Sequence, residues 1–529
     1  MNPEQPFLRT SETADVPHLP RLIVWFLFSI GIALQAAEEL PSLTPKPRPA
    51  PHLNTPALYG ARPGHPFLYR IPCTGKRPMN FSADSLPPGL TLDRTTGIIR
   101  GHSPVQPGRY SILLRARNTY GSAKQKFTLI VGERIALTPP LGWNDWYTHY
   151  DHITDNLVRK AADVMVDSGM ADFGYQYVNI DDCWMMKPGS SDPDLGGPPR
   201  TDRGVIRPNR RFPDMRALTD YIHAKGLRTG IYTSPGPRTC AGFEGSYEHE
   251  AADARQFADW GFDFLKYDWC SYGKVVRGTG RHYFESPYQI MGDILARLDR
   301  DIVFNLCQYG MGDVWTWGAA VGGQCWRTTS DLGLEKNSRL PGFYSIAFTN
   351  AVHAANAGPG GWNDPDYILI GAYGDPRQMG RLQKTTLTPQ EQYSYMSLWT
   401  MMAAPLFFSG DMSQLDNFTL NVLCNSEVIA VDQDAFGQQA RIVRNTDQEY
   451  ILERVLSDGS VAVGLFNLDL QNRPLSVDWS ALGLSGTYKM RDLWRQRDLG
   501  LVNDRLEERV PGHGVFLFRL WRAKNSAGH

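Results

Sequence analysis

Residues 262–268 read FDFLKYD, running from Phe262 through Lys266 to Asp268. A helical pattern over 249–260 leads into them, and Gly261 stops it. The segment therefore reads as a strand that follows a helix. Lys266 and Asp268 stand two apart on it, so their side chains share one face. Turned inward, a lysine and an aspartate are costly to bury unless they are paired or used.

The same alternation extends outward from this segment. Before it lie strand candidates LGWN (141–144), YQYVNID (175–181) and RTGIYT (228–233). After it come IVFNLC (302–307), CWRTTS (325–330), GWNDPD (361–366) and APLFFSGD (404–411). Thr154 is placed to cap a helix whose apolar face is Leu157, Ala161, Val164 and Met165. Ile153 and Val158 are spaced for a hydrophobic staple across that cap. A further helix over 215–225 is stopped by Gly226. Eight strands in βα units over 136–435 meet the requirement of a (β/α)8 TIM barrel, in the α/β class. A doubly wound sheet would want a glycine fingerprint after its first strand, and none stands there.

Most of these strands finish in polar residues. Asp181 and Asp182 end the second, Asp268 the fourth, and Gln308 follows the fifth. Asp331 follows the sixth, while Asp364 and Asp366 close the seventh. In a barrel all strand C-termini meet at one mouth, where active sites sit. A single strand-end aspartate can simply cap the next helix, and Asp155 and Asp214 read that way. Lys266 with Asp268 alone could be a structural ion pair. Five acidic positions converging with Lys266 and Arg327 point instead to chemistry. Paired carboxylates at a barrel mouth suit glycosidic bond cleavage, where one carboxyl protonates the leaving oxygen and the other attacks or activates water. No metal is expected: His223, His249 and His282 lack ligand spacing. A magnesium site at Asp181, Asp182 and Asp364 would compete with Lys266. No G-x-S-x-G elbow occurs.

The flanks differ in texture. The chain has 529 residues, 54 basic and 55 acidic, so there is no basic surplus to track nucleic acid. Arg21, the apolar run Leu22–Leu34, and Ala36 with Ala37 read as a signal peptide over 1–37. That implies a secreted or periplasmic protein with no membrane association after cleavage; an uncleaved anchor is the alternative. Residues 38–56 form a Pro-rich linker. Over 57–132, alternating runs between turn clusters read as a small β-sandwich, and over 438–523 they read as an antiparallel β-sandwich. With seven Cys the chain is no disulfide scaffold.

The stretches LGWNDW, YVNIDDCW, GIYTSPGPRTCAGFEGSYEHE, FADWGFDFLKYDWC, CWRTTSD, GGWNDPDYILIG and LWTMMAAPLFFSGD follow one another in order. Together they resemble glycoside hydrolase family 27, the α-galactosidase (melibiase) family of retaining exo-glycosidases. LPPGLTLDRTTGIIRG resembles the immunoglobulin-like modules found beside extracellular bacterial enzymes. The family resemblance implies that Asp268 is the nucleophile and Asp331 the general acid/base. It implies that Asp181 and Asp182 hold the 4- and 6-hydroxyls of the terminal sugar. Lys266 and Arg327 match further hydroxyl-binding positions, and Trp146 an aromatic wall. Tyr232 and Cys240 match the pocket lining, and Asp364 the seventh-strand motif. Cys240 and Cys270 match a disulfide pair, and Cys307 with Cys325 are a second candidate pair. The implied substrate is a carbohydrate, an α-galactoside, with no cofactor. Lys266 would keep Asp268 ionised, and the charge of Asp268 would favour protonation of Asp331.

One departure bears on specificity. Many family members carry Cys-Glu-Trp after the fifth strand, with the Glu reading the 2-hydroxyl. Here Cys307-Gln308-Tyr309 stands in its place. Gln308 can hydrogen-bond the same hydroxyl, and its bulk argues against N-acetylgalactosamine. Relatives that cleave β-L-arabinopyranosides or release isomaltose from dextran remain alternatives, as does a carbohydrate-binding protein without catalysis.

Overall fold

The computed structural model describes residues 42–332, 339–375 and 381–523. The apolar run read as an export signal lies outside them. Among the described residues no helix is long and apolar enough to cross a membrane.

Local signals set the barrel's elements. The strands are β1 (Leu141–Asn144), β2 (Tyr177–Asn179), β3 (Arg228–Thr233), β4 (Phe264–Asp268), β5 (Val303–Cys307), β6 (Cys325–Arg327), β7 (Trp362–Asp364) and β8 (Leu406–Phe408). Each falls inside its expected segment. They form one parallel sheet in sequential order, with β8 beside β1. The seam between β7 and β8 is held by a parallel bridge from Ile368, just past β7, to Phe408.

The helix α1 (Asp155–Asp167) starts where Thr154 accepts a hydrogen bond from Leu157 N–H at 3.3 Å. Ile153 and Val158, the staple pair, are both wholly buried. Asp155 does not cap this helix; it sits in the first turn and pairs with Arg159. Asp214 does cap α2 (Met215–Ala224), accepting from Ala217 N–H at 2.9 Å. The helix α3 (Glu250–Trp260) ends at Gly261, whose φ of 101° is a left-handed stop. Trp143 and Trp184 are core residues with no exposed surface.

The front module packs a four-stranded sheet against a three-stranded one around Phe81, Ile99, Leu114 and Phe127. Its floor is fastened to α2. Arg100 donates to the carbonyls of His223 and Ala224, and Arg70 to that of Lys225, so both satisfy the open end of the helix. Gly226 needs to be glycine twice over. Its φ is 77°, and a Cβ there would meet Ile98 of the module at 2.8 Å. The Pro-rich stretch is pinned rather than free: Leu43 N–H donates to Tyr393, and Thr44 N–H to Asn421. At the other end, a six-stranded antiparallel sheet and a two-stranded one enclose Val463, Leu475, Val477 and Phe518.

Candidate active site

The strand register gathers the polar residues. Across β3, β4 and β5, Tyr232 lies beside Lys266 and Lys266 beside Asn305, while Asp268 lies beside Cys307. Across β6 and β7, Arg327 lies beside Asp364.

Asp268 is buried and held from three sides. Its Oδ1 accepts from the Tyr309 hydroxyl at 2.6 Å and from Trp269 N–H at 2.7 Å. Its Oδ2 accepts from the Tyr232 hydroxyl at 2.8 Å. The Cys240–Cys270 disulfide, with Cα atoms 5.0 Å apart, ties together the loops after β3 and β4. The Cys240 sulfur lies 3.8 Å from Asp268 Oδ2.

Burial raises the proton affinity of Asp268, and the opposing pull of Lys266, Tyr309 and Trp269 N–H does not cancel it. Lys266 pulls in the expected direction and is the largest of the opposing influences. The Lys266 ammonium is 2.7 Å from Asp181 Oδ2 and forms its ion pair there. Burial alone would strip its proton, but Asp181 and its neighbours hold it charged well above the usual lysine range. Three rings surround it, those of Tyr367 at 5.1 Å, Tyr232 at 5.3 Å and Trp146 at 5.8 Å.

Asp181 also accepts from Asn144 and Tyr367. Its own N–H donates to Asp145, a buried carboxyl that was not singled out in the sequence. Asp182 accepts from Cys183 N–H at 2.7 Å and Ala241 N–H at 2.9 Å. Burial nevertheless pushes its carboxyl up to about 7.

Arg327 joins the two carboxylates on the far side. Its guanidinium is 3.2 Å from Asp331 and 3.1 Å from Asp366. Asp366 is buried, whereas the Asp331 side chain is 58% exposed. A buried nucleophile candidate therefore shares the mouth with an exposed carboxylate able to exchange protons with solvent.

The structure places three further groups that the sequence singled out, and corrects the last. Gln308 is wholly buried and its amide donates to the Met311 carbonyl at 2.5 Å; Tyr309 is the residue that reaches Asp268. Asp364 accepts from the Asn305 side-chain amide and from Asp366 N–H, and Asp366 stands against Arg327. Cys307 and Cys325 are free. The register sets Cys325 opposite Asn305, two residues short of Cys307, so the thiols do not face each other. Cys183 is also free and buried.

Comparison with known proteins agrees with this geometry. Residues 138–434 match the family model for α-galactosidase A, 449–520 the α-galactosidase C-terminal β-sandwich, and 50–132 an Ig-domain model. The α-galactosidase of Cyamopsis tetragonoloba is 37% identical over 392 residues, covering 73% of this chain and 87% of that one. α-Galactosidase A of Cellvibrio japonicus is 33% identical, covering 75% and 94%. The crystal structure of α-galactosidase I from Mortierella vinacea superposes with a TM-score of 0.66 at 27% identity, covering 74% and 99%. A GH27 β-L-arabinopyranosidase from Geobacillus stearothermophilus gives a TM-score of 0.64 at 25% identity, covering 74% and 98%. The chain, with its (β/α)8 barrel and mouth of buried acids, belongs to the α-galactosidase (melibiase) family of glycoside hydrolases.

Proposed function

We propose that this protein is an exported, retaining exo-glycosidase that removes terminal α-D-galactosyl residues from oligo- or polysaccharides by double displacement. The observation that carries the reading is Asp268, buried and held by two phenols and a backbone N–H, sharing a mouth with exposed Asp331. Asp268 attacks the anomeric carbon while Asp331 protonates the departing oxygen. Asp331 then deprotonates the water that releases the sugar. Asp181, Asp182 and Lys266 orient the sugar hydroxyls, so that little motion is left to the reacting atoms. Trp146, Tyr232, Arg327 and the disulfide at Cys240 complete the walls. Export rests on the 22–34 apolar run.

A 2-deoxy-2-fluoro-galactosyl fluoride should label Asp268, and the first free sugar seen by NMR should be the α-anomer. Labelling elsewhere, or release of β-galactose, overturns the reading. Hydrolysis of p-nitrophenyl α-galactoside should vanish in Asp268→Ala. A second reading, β-L-arabinopyranoside cleavage, is favoured by one observation: the barrel superposes on that of a GH27 β-L-arabinopyranosidase at 25% identity. A panel of aryl α-galactoside and aryl β-L-arabinopyranoside decides between the two by the ratio of kcat/KM.

A further inference from the structure

A carboxylate offers about four lone-pair directions, two on each oxygen. On Asp268, Oδ1 has both engaged, by the Tyr309 hydroxyl at 2.6 Å and Trp269 N–H at 2.7 Å. Oδ2 has one engaged, by the Tyr232 hydroxyl at 2.8 Å. The open direction belongs to Oδ2. We propose that Tyr309 is a positioning residue of the glycosidase reaction: it ties down Oδ1, leaves Oδ2 as the attacking atom, and stabilises the carboxylate when the sugar releases it. The inference rests on Asp268 being the nucleophile.

The phenol is held in place from several directions. Tyr309 has a left-handed φ of 65°, and the next residue, Gly310, has φ 83°. A Cβ at Gly310 would lie 2.4 Å from the Thr328 carbonyl, so the turn accepts no side chain there. The Arg327 guanidinium stands 5.7 Å from the centre of the Tyr309 ring. The Cys240 sulfur is 3.8 Å from its hydroxyl. A ring confined this way has few alternatives to donating into Oδ1.

In the first step Oδ2 bonds to the anomeric carbon. The bond from that carbon to the aglycone oxygen breaks, and that oxygen takes its electron pair and the proton of Asp331. In the second step a water oxygen bonds to the anomeric carbon and yields its proton to Asp331. The Oδ2–carbon bond breaks and its electron pair returns to the carboxylate. Negative charge reappears there, and Tyr309 already donates into Oδ1. Its loss therefore makes Asp268 a poorer leaving group and slows the second step more than the first.

The groups facing Asp268 are Lys266 on its own strand, Tyr232, Tyr288, Cys307, Tyr309 and Asp331. Burial holds each phenol and the thiol in the protonated form, and the lysine stays charged. Asp182, pushed up to about 7, stands at the same mouth, so the part of the acid limb that belongs to Asp268 is the part that moves when Tyr309 is changed.

The test is Tyr309→Phe in the full chain, with p-nitrophenyl α-galactoside. Loss of a charge-assisted donor should move the acid limb of kcat/KM up by about one pH unit. Both kcat and KM should fall, kcat by about tenfold, with a burst of nitrophenol as the glycosyl-enzyme accumulates. Tyr309→His, which keeps a ring-borne donor, should restore part of both shifts. Tyr309→Met, a second variant without a donor, should reproduce them and covers the case of a poorly folded Phe variant. An unmoved acid limb and no burst in the non-donor variants overturn the inference. Wild-type labelling by the fluorosugar separates the two levels. Without a label at Asp268 the nucleophile assignment fails and takes Tyr309 with it. With the label and an unmoved limb, only the role of Tyr309 fails.

Discussion

Two aspartates five residues apart bracket the central strand β4 and have opposite fates. Asp263 enters it at the base of the barrel, and Asp268 leaves it at the mouth. Both are buried. Burial works to raise the pKa of Asp263 too, but Arg300, His223 and Arg228 outweigh it and hold its carboxyl well below the usual range. Arg300 lies 2.7 Å away and His223 Nε2 2.8 Å, while Thr229 N–H adds a third contact at 3.1 Å. Asp268 meets phenols and a backbone N–H instead, and its carboxyl ends above the usual range. A carboxylate matched by contacting cations fixes structure; one whose direct contacts are neutral donors suits the nucleophile role proposed for Asp268.

The sharpest break of this comparison is to neutralise each in turn. Asp268→Asn should lower kcat on the order of 10^4-fold, without lowering the melting temperature, since a neutral amide avoids the cost of burying charge. Asp331→Asn should lower it by about 10^2- to 10^4-fold on aryl galactosides with poor leaving groups, and less on activated ones. Asp263→Asn should do the reverse. It leaves the partly buried Arg300 and the buried Arg228 without their counter-charge and should cost about 3–5 kcal/mol in urea unfolding, with kcat per folded molecule unchanged. A carboxyl with a depressed folded pKa adds stability that is fully present above the unfolded value of about 4, and that drains as pH falls toward the folded value. The stability gap between wild type and Asp263→Asn should therefore close below about pH 4. The smallest effect belongs to the module's floor. Arg100→Ala uncaps α2 and should cost about 0.3–1 kcal/mol by thermal melting, with no change in kcat.

The same strand shows what a sequence reader can and cannot extract. Eight barrel strands and their polar ends are legible because alternation holds within a strand and glycines such as Gly226 and Gly261 mark the stops. Asp181, Asp182, Lys266, Asp268 and Arg327 lie within or one turn beyond such strands, and all stand at the mouth. The placements that the sequence does not foretell lie at or just past a strand end. Tyr309 has φ 65° and Asp366 has φ 81°. Once the backbone enters that left-handed region, the rule that neighbours face opposite ways no longer applies. Gln308 is thus wholly buried while Tyr309 beside it reaches Asp268, and Asp366, two residues past Asp364, reaches Arg327. The ion pair of Lys266 is hidden from the sequence for another reason. Spacing places Lys266 near Asp268, but only three-dimensional packing reveals that Asp181 has claimed the ammonium.

The pinned leading stretch sets where this polypeptide can be cut. Thr44 both donates to and accepts from Asn421, and Asn118 and Lys76 reach the Pro49 carbonyl from the module. A recombinant version begun at residue 136, as motif boundaries would invite, loses this belt along with the arginines that close α2. It would bare apolar ground at the barrel's underside and tend to clump. The shortest well-behaved product should instead start ahead of Leu43, with the front module kept as masonry rather than trimmed as an accessory.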